Sequence, residues 1–395
     1  MIFAPASEAE AADTIAAAHA AKRPLGIEGG GTRAALGRAA QVEATLSTKA
    51  LAGITLYEPA ELVIAAKAGT PLAEIEATLA ARGQMLPFEP MDHRALLGTQ
   101  GEPTIGGITA CNISGPRRIQ AGACRDHLIG VRFVNGRGDV VKSGGRVMKN
   151  VTGLDLVKLN CGAYGTLGLL TEVTYKVLPK PEIAGTLALF GLDDARAIEA
   201  MSRALGSPFE VSGAAHLSAG IGGGEKSRTL LRIENFASSV DYRLREIQKL
   251  LAPFGDGLRF IEEEADALWC DIRDCRFFAE PRDRAVWRIS TAPTRAPSLV
   301  ARLTSELDLR HFYDWSGGLI WLSVPENDDA GARTIRAALA TSGGHATLVR
   351  GSPDLRSRID VFEPLAAPLM KITAGIKVSF DPDAILNPGR MYAGI

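Results

Sequence analysis

The chain has 395 residues, more than one ordinary core holds, and its 46% hydrophobic and 23% charged residues are the balance of a globular protein of two domains. A formal net charge of −1 leaves no global positive field to recruit nucleic acid or acidic lipid. The five cysteines (Cys111, Cys124, Cys161, Cys270 and Cys275) are odd in number, sparse and without a C-x-x-C spacing, which argues against a disulfide scaffold or an iron–sulfur cluster held by this chain.

The first residues show no basic region followed by an apolar stretch, and no run of about 18 apolar residues occurs, so neither a signal peptide nor direct membrane insertion is expected. The chain reads as cytoplasmic, with any membrane association made through partners. Ser7 and Glu10 form a capping-box pattern ahead of an Ala-rich helix ending near Lys22. Residues 24–28 read as a strand that runs into Gly29, Gly30 and Gly31. Residues 54–57 and 62–68 read as two further strands, and Thr70-Pro71 as an N-cap and first helical position for a helix that stops at Gly83. Residues 131–135 and 140–143 flank Gly136-Arg137-Gly138-Asp139, a hairpin signal. Residues 169–178 alternate as a half-buried strand. Pro179-Lys180-Pro181 marks the domain boundary. The mixture of helices, strands and hairpins is not a clean βαβ alternation, so the expected class is α+β.

Glycines concentrate in three segments of the first domain: residues 26–33 (GIEGGGTR), 104–118 (TIGGITACNISGPRR) and 160–173 (NCGAYGTLGLLTEV). Successive glycines can turn main-chain N–H groups inward and form a concavity for an anion. On this reading a side chain at Gly30 would block an inward-turned amide. Gly29, Gly31 and Ala34 also satisfy the G-x-G-x-x-A nucleotide fingerprint, but the acidic residue expected about 20 positions on is missing and Gly37 interrupts the helix that should follow. Three glycine segments in one domain suit a long, flat ligand such as a dinucleotide. A plain surface turn is the default for one triplet alone.

Residues 26–33, 68–90, 104–118, 147–159, 162–181 and 381–391 resemble the FAD-binding subunits of bacterial glycolate oxidase (glycolate dehydrogenase), within the vanillyl-alcohol-oxidase or PCMH-type flavoproteins. The resemblance implies a two-subdomain PCMH-type FAD-binding domain over residues 1–181. A C-terminal α+β domain, antiparallel sheet plus helices, would follow over 182–395, with 377–391 returning toward the flavin. Carried over by position, it implies a pyrophosphate loop at Gly29, Gly30, Gly31, Thr32 and Arg33. Ring-side contacts fall near Pro90, Thr104, Gly106, Gly107, Asn112, Ser114 and Gly115. An adenine-side segment falls at Gly162, Tyr164, Gly165, Gly168 and Leu169. It implies FAD held non-covalently, since the first loop has neither His nor Cys.

The implied activity is oxidation of glycolate, a small 2-hydroxy acid, to glyoxylate. The implied partners are a larger FAD-containing subunit and an iron–sulfur subunit. The H-x-x-x-G-x-x-N-x-H metal segment of many related 2-hydroxy-acid dehydrogenases is absent, and the six histidines are scattered without metal-ligand spacing. A self-sufficient dehydrogenase and an assembly subunit with structural FAD are the alternative readings. Arg117, Arg118, Arg390 and His93 could serve a substrate carboxylate or a proton, yet each is as well read as a phosphate partner or a loop residue. No catalytic residue is assigned.

Overall fold

The computed structural model describes residues 1–145, 153–261 and 263–395. Residues 147–152 of the segment 147–159 lie outside the described residues. The chain forms two compact units: residues 1–114, 122–180 and 364–395 make the first, and residues 115–121 with 181–363 the second.

In the first unit, helix Glu8–Ala20 starts where Ser7 accepts the Glu10 amide, as the capping pattern predicts. Its apolar side packs Ala11 and Ile15 against Leu25, Leu46, Val134, Leu169 and Leu386, all buried. Each large aliphatic buried there contributes about 1.5–3 kcal/mol. Strands Ile2–Phe3, Ala44–Ser47 and Leu25–Glu28 form a small parallel sheet in that order. The second sheet is antiparallel, in the order Ile54–Glu58, Val63–Lys67, Leu169–Lys176, Leu128–Val134, Val140–Gly144. The hairpin predicted at 136–139 joins the last two strands, with Gly138 at φ +89°.

Two local expectations are corrected. Thr70 does not cap the next helix: its hydroxyl donates to the Lys67 carbonyl at 2.7 Å, Pro71 is the N-cap, and the helix spans Leu72–Ala80. Gly83, at φ +63°, comes two residues after the Ala81 C-cap.

The second unit is built on one antiparallel sheet of eight strands, in the order Gly257–Ile261, Ile183–Phe190, Arg228–Asn235, Gly213–Leu217, Arg310–Asp314, Leu319–Pro325, Arg284–Ser290, His345–Arg350. Alternate residues such as Leu187, Leu231, Trp287 and Ile320 pack with Met201, Leu244, Leu303 and Ile335 from its helices. Helices and an antiparallel sheet in both units make the α+β class.

Candidate functional site

Strand Leu25–Glu28 ends in the triple glycine, and no helix follows it before strand Ala44–Ser47. The dinucleotide fingerprint of a strand–turn–helix unit is therefore not met. The loop instead lies against the second glycine segment. A Cβ at Gly29 would stand 2.3 Å from the Thr104 hydroxyl oxygen, and one at Gly30 would stand 1.7 Å from the Glu102 carbonyl oxygen. So Gly30 is required by the approach of one backbone to another, a reason different from the blocked amide that the sequence suggests.

The third segment joins the second through main-chain bonds. Gly162 donates to the Thr109 carbonyl at 3.1 Å and Tyr164, at φ +54°, to the Ala110 carbonyl at 2.8 Å. Thr104 caps helix Ile105–Cys111, its hydroxyl accepting the Gly107 amide.

A cleft open to solvent lies among these segments. Gly29, Gly30, Gly31, Thr32, Arg33, Thr104, Gly106, Gly107, Tyr164, Gly165, Gly168 and Leu169 line it. Pro90, Asn112, Ser114, Gly115 and Gly162 lie outside the lining. Asn112 accepts the Arg125 amide, and Ser114 accepts the Cys124 amide at 2.9 Å, so both fix the loop after the helix. Gly115 belongs to the second unit, where its carbonyl accepts the Trp315 indole. His93 is buried outside the lining, and Arg117 forms a buried ion pair with Glu234 in the second unit.

The electrostatics of the cleft are those of an anion site. Among the described residues, the main-chain amides of Gly29, Gly30, Gly31, Thr32 and Arg33 donate no hydrogen bond. Gly30, Thr32 and Arg33 are buried; nearly all buried amides are paired, so donors there without an internal acceptor call for an external one. Arg33 is buried beside them. One Nη donates to the Thr32 hydroxyl at 3.2 Å and the other to the Met91 carbonyl at 2.8 Å, while its Nε has no partner; the Asp92 charge acts on it from a distance without forming an ion pair. Burial pushes its pKa below the usual value, yet a guanidinium stays charged. Burial also pushes the Cys111 thiol up, against the pull of Arg33 and Arg390, which makes it a poor nucleophile.

Two lining residues, Asn387 and Arg390, come from the far end of the chain, in the segment 377–391 that the sequence resemblance implies returns to the site. Asn387 accepts the Ile27 amide at 2.8 Å and donates to the Tyr164 carbonyl at 2.7 Å, so it clamps the first strand to the third glycine segment. Arg390 donates to the Arg33 carbonyl at 3.2 Å. The tail is anchored by buried Lys377, which donates to Asp381 and to the carbonyls of Thr166 and Leu386.

Alone, the amides and Arg33 can take a diphosphate, each bond to a charged group contributing about 1.5–3 kcal/mol net. Ile27, Ala68, Ala110, Leu169 and Leu170 give the cleft an apolar wall for a flat ring. Among the described residues no cluster of three or more His, Cys, Asp or Glu could hold a metal, and no helix is long and apolar enough to cross a membrane.

Residues 1–144 match the family described as FAD binding domain. Over 377 residues the chain is 36% identical to glycolate oxidase subunit GlcE of Escherichia coli, covering 94% of this chain and 93% of that one. It is 44% identical over 95 residues to glycolate oxidase subunit GlcD of Bacillus subtilis, 24% of this chain and 20% of that one. Among solved structures, 4-ethylphenol oxidase from Gulosibacter chungangensis superposes with a TM-score of 0.74 at 14% identity, over 98% of this chain and 88% of that one, which shows a shared fold.

Proposed function

This chain belongs to the family of glycolate oxidase subunit GlcE, and from that premise we propose that it is the FAD-binding subunit of a multi-subunit glycolate dehydrogenase that converts glycolate to glyoxylate. Its partners on this reading are a larger FAD-containing subunit and an iron–sulfur subunit, and any membrane association is made through them.

The observation that carries the reading is the run of five unpaired amides, Gly29 to Arg33, beside a buried arginine that forms no ion pair. That donor set suits the diphosphate of FAD. Thr104, Gly106 and Gly107 would flank the ring, and Tyr164, Gly165, Gly168 and Leu169 the adenine end, with Asn387 and Arg390 closing the cleft from the tail. Asn112 and Ser114 would act by shaping the loop between them. The flavin supplies hydride acceptance from a CH–OH carbon and release of single electrons. The chain's own part is to bind the dinucleotide, orient it and keep its ring face apolar. Attachment is non-covalent: the first loop offers no His or Cys, and Cys111 is held as a thiol. The unit of residues 1–114, 122–180 and 364–395 binds FAD, so the tail 377–391 belongs to the binding unit.

The test is anaerobic addition of glycolate to the yellow purified chain, alone and with its partner subunits. Loss of the visible flavin band only in the assembled complex supports the reading. Full bleaching of the isolated chain would make it a self-sufficient 2-hydroxy-acid dehydrogenase.

A further inference from the structure

On strand Arg284–Ser290 of the second unit, Trp287 and Ile289 enter the core under the helices, so Arg288 between them stands on the opposite face of the sheet. Its guanidinium lies over the indole of Trp315, 4.9 Å from the ring centre, and a second guanidinium, Arg118, lies 4.5 Å from the same ring. Arg118 is carried by residues 115–121, which belong to this unit. The Gly115 carbonyl of that segment accepts the Trp315 indole N–H at 3.1 Å, which fixes the orientation of the ring. His345, opposite Ser290 in the neighbouring strand, feels both cations. Loss of solvent pushes its pKa down first, and Arg288 and more weakly Arg118 add to this against the pull of Glu363. Glu363 is itself engaged by Arg336.

One guanidinium over an indole face is an ordinary and favourable contact. Two held on one ring also repel each other, and an anion that reaches them relieves the repulsion. The backbone beneath the ring is strained: Trp315 and Ser316 sit at φ +50° and +56°, a region that bulky side chains rarely adopt and that collects at ligand clamps. The Ser316 hydroxyl is buried and makes no hydrogen bond among the described residues. Asp314, which opens the same turn, accepts the Trp315 amide at 2.7 Å. None of these residues lines the glycine cleft.

We propose that Arg118 and Arg288, held on Trp315, form a binding site in the second unit for a small carboxylate of the size of glycolate. Both guanidiniums are half-buried and the indole is nearly covered, so the cationic surface left open suits a ligand of few atoms. A planar carboxylate meets a guanidinium fork through two parallel bonds, which an ammonium does not offer. The choice of glycolate rests on the proposed function; the assignment of a carboxylate site rests on the two arginines and the strained turn.

The test is anaerobic calorimetric titration of the purified, flavin-loaded chain with sodium glycolate, with glycolamide, which keeps the hydroxyl and lacks the charge, and with inorganic phosphate. Glycolate should bind and glycolamide should not. Arg118→Met and Arg288→Met keep an apolar stem over the ring, and each should weaken glycolate binding about ten-fold or more with flavin content unchanged. Arg288→Lys keeps the charge and loses the fork, so it should lose less than Arg288→Met, which separates loss of a ligand contact from loss of folding.

Equal glycolate affinity in the wild type and both Met variants would overturn the inference. So would phosphate binding that is tighter than glycolate binding and is lost in the same variants. Bleaching of the flavin by glycolate in the assembled complex, with no glycolate bound by this chain, would overturn the inference and leave the proposed function standing. Glycolate bound here and lost in the Met variants, with no bleaching in the complex, would overturn the proposed function and leave the carboxylate site.

Discussion

Asn387 donates its side-chain amide to the carbonyl of Tyr164 at 2.7 Å, across 223 residues of sequence. With its other side-chain atom accepting the Ile27 amide, it holds the strand that enters the triple glycine against the third glycine segment. Replacing it with Leu removes two part-buried hydrogen bonds, each contributing about 0.5–1.5 kcal/mol net. Asn387→Leu should therefore lower the melting temperature and the ratio of flavin to protein absorbance. Asn387→Asp, which keeps the acceptor for Ile27 and loses the donor to Tyr164, should fall between the two.

At Gly30 even one methyl group is too much, because the Glu102 carbonyl oxygen would lie 1.7 Å from it. Gly107 differs: the nearest atoms to a Cβ there are the Thr104 hydroxyl at 3.3 Å and an Arg33 nitrogen at 3.9 Å. Gly30→Ala should purify with little flavin and melt several degrees lower. Gly107→Ala should keep its melting temperature within about 0.5 kcal/mol equivalent of wild type. Differential scanning calorimetry with absorbance spectra separates the two.

Arg33 predicts effects of opposite sign on stability and on binding. A buried cation that no ion pair satisfies, with only the more distant Asp92 to offset it, costs free energy in the empty protein and is satisfied when an anion arrives. Arg33→Met should leave the flavin-free chain as stable as wild type or more so, while FAD binds about ten-fold or more weakly, the loss of one charge-assisted bond. Calorimetric titration of the stripped chain with FAD measures the second effect and thermal melting the first.

Acid sensitivity should trace in part to Glu8. Hydrogen bonding from Arg132, at 3.0 Å from Nε, with help from the Thr171 hydroxyl, outweighs burial and holds its carboxyl below the usual value. A carboxyl with a depressed folded pKa stabilises fully above its unfolded value, about 4.3, and loses that contribution as pH falls through the folded value. Glu8→Gln should thus melt below wild type at pH 7, and the gap should close as pH is lowered below about 4.

The three glycine segments were legible in the sequence because glycine density is a local property, and the cleft they line is where they meet. The paired strands around 131–143 were legible through the turn residues between them. What the sequence hides is the partner. Gly30 is constrained by Glu102, and Ile27 by Asn387, 360 residues away. Nothing near either glycine or strand encodes those contacts. Thr70 shows the same limit at short range: a cap pattern is present, but the hydroxyl finds a better acceptor in Lys67. The buried lysine and exposed aliphatics of helix Ala367–Phe380 invert what its composition suggests, since composition does not say which face meets the core.

Amide hydrogen exchange at residues 29–33, followed by mass spectrometry with and without FAD, bears most directly on the grip of these amides on a diphosphate. Without an internal acceptor they should exchange fast in the stripped chain, and slow by about ten-fold or more when FAD binds. Riboflavin, which lacks the diphosphate, should leave them fast. Saturating FAD with unchanged exchange at 29–33 would contradict the account.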